Sequence, residues 1–113
     1  MEHSYTILDN ILILTLKGDL IGENNGPELV NLVNDQLHDN VTRCAVDLSE
    51  VRYMNSSGIG LLVTLLIRAN RQGQSLLAIG LNEHYRHIFE LNRLDEAIRI
   101  FENESDAMAA AEG

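Results

Sequence analysis

The chain begins with two short apolar runs, Ser4 to Leu8 and Ile11 to Leu16, in which β-branched and aliphatic residues dominate. Such runs favour strands, and Asp9-Asn10 between them is a good two-residue turn, so an antiparallel hairpin is predicted. Gly18 to Gly26 is polar and glycine-rich and reads as a loop. Pro27 then suits the first turn of a helix, because its missing N–H needs no partner there. Leu29, Val30, Leu32, Val33 and Leu37 continue at helical spacing.

Cys44 to Leu48 is a short apolar run broken only by Asp47 near its end, which suits a central parallel strand covered on both faces. That strand is expected to end at Asp47-Leu48-Ser49. A short loop then leads to Asn55-Ser56-Ser57-Gly58 and a helix that stops near Gln72-Gly73. Leu76 to Ile79, closed by Gly80, reads as a further buried strand. Asn82 can cap a helix reaching about Leu91. Ile98 to Phe101 is the last strand, and Ser105-Asp106 opens a final helix through the alanines. Strands alternating with helices after an opening hairpin imply parallel crossovers. The expected fold is α/β: a mixed sheet of about five strands with about four helices, forming one domain over residues 1–113.

Charge narrows the choice of partner. The 113 residues carry 17 carboxylates against 8 lysines and arginines, a formal net charge of -9. Nucleic-acid backbones and anionic membranes would repel such a surface, whereas a protein with a basic docking face would not. Neither nucleic acid nor membrane is therefore expected as a partner. The chain lacks a signal-peptide start, and its longest apolar run, Leu61 to Ile67, is too short to span a bilayer. A single cysteine, Cys44, cannot form an internal disulfide. A cytoplasmic protein is expected, a monomer or weak dimer.

The chemistry concentrates at Ser56. A small hydroxyl in front of a helix N-terminus faces unpaired N–H groups and the positive end of the helix dipole, a position that tolerates phosphate. Ser57 is the second choice of acceptor, with capping as its simpler role. Gly58 and Gly60 would let a partner backbone approach closely. On the following helix, Ile59, Leu62, Val63, Leu66 and Ala69 share the face turned to the sheet. Leu61 and Leu65 fall towards the opposite side and form a docking patch unless a neighbouring helix covers them. His84 and His87 share a helix face without a third ligand cluster, so no metal is expected. A hydrolase elbow would need glycine where Met54 stands, and no phosphate-cradling glycine loop is present. No cofactor and no catalytic residues are expected; a hydrolase using Ser56 ranks below the non-catalytic readings.

Asp47, Leu48, Ser49, Val51, Met54, Asn55, Ser56, Ser57, Gly58, Ile59 and Gly60 resemble, in register, the central signature of the STAS domain, the family named for sulphate transporters and anti-sigma factor antagonists. In its antagonist branch, the serine at the place of Ser56 is phosphorylated by the partner, an anti-sigma factor serine kinase. Phosphorylation abolishes binding, and a phosphatase of PP2C type restores it. The resemblance therefore implies a switch protein that binds such a kinase and thereby releases a sigma factor. Its expected binding surface comprises Gly18, Asp19, Leu20, Ile21, Asn24, Asn55, Ser56, Ser57, Gly58, Ile59, Leu61 and Leu65. The family often places Asp before the serine and an acidic residue in the first loop; Asn55 and Ile21 stand there instead. Those departures favour an alternative, a STAS subunit of a larger transport or stress-signalling complex that binds without phosphorylation.

Overall fold

The computed structural model describes residues 2–36 and 41–112. Strand β1 (Glu2–Leu8) turns back at Asp9 and Asn10, whose φ angles of 50° and 68° are those of a type I′ turn, into β2 (Ile11–Leu20). Helix α1 (Gly22–Gln36) leads to β3 (Arg43–Met54), and α2 (Ser56–Arg71) to β4 (Ser75–Ile79). Helix α3 (Glu83–Leu91) and a 3-10 turn at Leu94–Glu96 precede β5 (Arg99–Phe101) and α4 (Glu104–Glu112). The five strands lie in sequence order, the β1–β2 pair antiparallel and the rest parallel. This is the mixed sheet with four helices that the hydrophobic pattern implies.

Alternation along β2 sorts the core into two layers. Leu12, Leu14 and Leu16 point to the face that α1, α2 and α3 cover, joined by Cys44, Val46 and Leu48 of β3. Ile11 and Ile13 point to the other face with Ala45, Leu77 and Ile79, where Ala107 of α4 is buried. Strand β3 is central and apolar towards both layers, as its composition requires. Gly73 and Gly80 take positive φ angles of 74° and 71°. At Gly80 a Cβ would also stand 2.6 Å from that of Ser49, so only glycine fits.

Two expected loops are replaced by regular structure. Strand β3 does not end near Ser49; it continues to Met54 because β2 runs alongside it, pairing Val51 with Gly18 and Met54 with Leu20. Val51 and Met54 are buried, so the extension adds to the core. The polar stretch from Gly18 to Gly26 is correspondingly not a loop. Its first half completes β2, with irregularities between Thr15 and Lys17 and between Gly18 and Asp19, and its second half is the start of α1. Only Ile21 connects the two. Pro27 lies inside α1 rather than in its first turn, at the cost of an intrahelical hydrogen bond. Leu37 and His38 lie outside the described residues.

Candidate functional site

The site forms where β2 and β3 end together, at the carboxyl edge of the parallel strands, the usual location of function in α/β sheets. Asn55, with φ -86° and ψ 178°, breaks the strand and caps α2. Its Oδ1 accepts hydrogen bonds from the Gly58 amide and the Ser57 hydroxyl, both at 2.8 Å. Asparagine is thus the cap, and Ser57 is half-buried and bound to it. Ser56, the first residue of α2, is exposed, and among the described residues no hydrogen bond engages its hydroxyl. The first turn of α2 holds no acidic residue, so nothing on that turn opposes the dipole's preference for an anion.

The turn is anchored on two sides. The Asn55 amide donates to the Leu20 carbonyl at 3.4 Å, and the Tyr85 hydroxyl bonds the backbone of Met54. Gly58 packs so closely on β2 that a Cβ there would collide with the Leu20 carbonyl, standing 3.0 Å from its carbon. The glycine therefore serves packing inside the protein rather than the approach of a partner. At Gly60, by contrast, a Cβ would meet nothing within 4 Å.

The structure gathers Asp19, Ile21, Asn55, Ser56, Ser57 and Ile59 at this edge, with Asp19 and Ser56 exposed, Gly18, Ile21 and Ile59 half-buried, and Asp19 in register with Tyr53. It withdraws Leu20, Gly58, Leu61 and Leu65 from the expected docking surface. Leu20 and Leu65 are wholly buried and Leu61 is 6% exposed. Helix α1 is the cover: a Cβ on its Gly26 would lie 3.8 Å from Cδ1 of Leu61. The apolar surface of α2 lies instead on the row from Ile59 through Val63 to Ile67, one turn apart each, with Ile67 47% exposed. Ser56 begins that row. The expected contact through the Asn24 side chain lies outside the described residues.

Two residues of the site carry no local signal. Tyr53, 48% exposed, lies beside the site on the part of β3 where the sequence pattern predicts a loop. Tyr85 reaches back from α3 and carried no signal except being aromatic on an amphipathic helix. His84 and His87 are exposed on α3. Among the described residues no group of three or more metal-binding side chains converges, and no helix is long and apolar enough to cross a membrane.

Comparison with known proteins agrees with this architecture. A Staphylococcus aureus protein named anti-sigma-B factor antagonist is 29% identical over 76 residues, covering 67% of this chain and 70% of its own length. The phosphorylated form of SpoIIAA, a Bacillus cell fate determinant, superposes with a TM-score of 0.71 at 15% identity, covering 97% of this chain and 99% of its own. A sulfate transporter family protein from Wolinella succinogenes gives a TM-score of 0.80 at 16% identity, covering 95% and 88%. At such identities the two structures speak for the fold alone. The STAS domain model, however, matches residues 3–107, nearly the whole chain, and this protein belongs to the STAS domain family.

Proposed function

We propose that the chain is an anti-sigma factor antagonist acting in the cytoplasm by protein binding rather than catalysis. Its partner is an anti-sigma factor serine kinase, whose capture releases a sigma factor. The observation that carries this reading is the division of labour at the helix start: Asn55 does the capping and holds Ser57, which leaves Ser56 exposed. The Ser56 oxygen attacks the γ-phosphorus of the kinase's ATP, the hydroxyl proton passes to a kinase base, and ADP leaves. The phosphoserine adds about -1.5 to -2 charges at the centre of the docking surface. The helix dipole favours that group within the protein, so the fold survives while an acidic or apolar partner surface is repelled. Tyr53, Asp19 and the Ile59 row supply the rest of the contact. A PP2C-type phosphatase resets the switch.

The test uses the purified chain with an anti-sigma factor serine kinase from the same organism. Wild type and Ser56→Ala bind the kinase and Ser56→Asp binds weakly; with ATP, wild type gains one phosphate and Ser56→Ala none. Equal binding by all three, without phosphate transfer to wild type, overturns the reading. Asn55 and Ile21, uncharged where the family often has acids, favour a second reading: a STAS subunit of a larger transport or stress-signalling complex that binds without phosphorylation. Capture of that complex, indifferent to Ser56, would distinguish it.

A further inference from the structure

Among the described residues, strand β1 lies at the outer margin of the sheet and pairs on one side only, with β2. The turn at Asp9-Asn10 makes Leu8 and Ile11 its first and fourth residues, the hydrogen-bonded pair that closes a two-residue hairpin. Pairs alternate from there, so Leu8, Thr6, Ser4 and Glu2 direct their backbone groups to β2. His3, Tyr5 and Ile7 direct theirs outwards. The seven β1–β2 pairs run without a bulge, and Glu2 to Leu8 contains neither lysine nor proline. Natural edges are ordinarily blunted by such devices. Tyr5 and Ile7 are moreover 46% and 43% exposed, opposite Leu14 and Leu12 on the face that the first three helices cover.

We propose that this edge pairs with the same edge of a second copy, joining two sheets across a two-fold axis through Tyr5. Antiparallel pairing about that axis sets Tyr5 against its own mate and His3 against Ile7 of the other copy. Each outward N–H then meets an outward carbonyl, so the edge is complementary to itself. The aromatic and β-branched side chains meet as cross-strand neighbours on one face. Charge selects the same place. The molecule carries -9 overall, yet the only formal charge on β1 is Glu2, and it faces Lys17 across the hairpin. Lys17 is also 3.4 Å from Glu50, and His3 is 3.7 Å from Glu28, so the strand itself adds little charge against which a second acidic molecule must approach. The Ser56 surface begins beyond the end of β3, which β2 separates from the paired edge, so dimerisation leaves it open.

Sedimentation velocity from low micromolar to near-millimolar protein tests this, with amide hydrogen exchange read at both ends of the range. Wild type shifts from monomer to dimer, and exchange at His3, Tyr5 and Ile7 slows as it does so. Tyr5→Pro removes an outward N–H that β2 does not use, and Ile7→Lys adds an edge charge. Each weakens dimerisation by about tenfold or more, while circular dichroism matches wild type. Ile67→Glu, on α2, leaves the dimer intact. A wild type that stays monomeric, or a dimer whose strength survives Ile7→Lys or is lost in Ile67→Glu, overturns the proposal. Should Tyr5→Pro fail to fold, Ile7→Lys and the exchange data carry the decision.

Discussion

The Tyr85 hydroxyl stands 2.8 Å from the amide nitrogen of Met54 and 3.3 Å from its carbonyl oxygen, accepting from the first and donating to the second. One side chain of α3 thus satisfies both polar groups of the last residue of β3, immediately before the cap that presents Ser56. Tyr85→Phe keeps the ring and orphans both groups in a buried setting, which costs about 1–3 kcal/mol. Urea denaturation should show that loss. The loosened strand end should also weaken the kinase binding proposed above, although Tyr85 is far too buried to touch a partner.

Gly58 and Gly60 lie in the same two turns of α2 and should respond oppositely to a methyl group. Gly58→Ala drives a Cβ into the Leu20 carbonyl, which is backbone and cannot step aside, and should cost about 1–3 kcal/mol or more. Gly60→Ala places its methyl in open space and should stabilise the helix by about 1 kcal/mol. Thermal unfolding of the two variants gives both signs directly.

Leu65 and Ile67 separate folding from docking. Leu65→Ala empties a wholly buried site and should cost about 2–5 kcal/mol. Ile67→Glu alters an exposed position and should change stability by no more than about 0.5 kcal/mol. The second variant should nevertheless weaken kinase capture if the Ile59–Val63–Ile67 row forms part of the docking surface. Denaturation and pull-down, run in parallel, resolve the two effects.

Cys44 gives the protein an alkaline liability. Burial pushes its thiol up from 9.0 to about 12, because the thiolate would lose its water. The folded state therefore holds this proton where the unfolded chain has released it. The contribution is complete below pH 9.0 and is lost between 9.0 and about 12, at most about 1.4 kcal/mol per pH unit. Stability measured against pH should fall more steeply for wild type than for Cys44→Ala across that window. In the native protein the same thiol should resist alkylating reagents that modify it at once in urea.

Much of this molecule is legible in local pattern. Period-two and period-3.6 hydrophobicity, the Asp9-Asn10 turn, the Asn82 cap and the Gly73 stop depend on neighbours within a few residues, and each marks its element unaided. The prominence of Ser56 is legible for the same reason: a small polar run between a strand and a helix is a local event. What escaped was decided by residues distant in sequence. Strand β3 reaches Met54 only because β2 lies beside it to Leu20, a pairing that turns polar, glycine-containing segments into ladder. Leu61 and Leu65 are core only because α1 crosses over them, and helical periodicity states which residues share a face without stating what covers it. Tyr85 became the clamp on Met54 only because the fold brings α3 against the end of β3, whereas the Asn55 cap is local, its partners Ser57 and Gly58 lying two and three residues on. Local sequence determined the elements and the candidate hydroxyl. The tertiary structure decided which apolar surfaces were left over for a partner, because burial depends on the neighbour as much as on the residue.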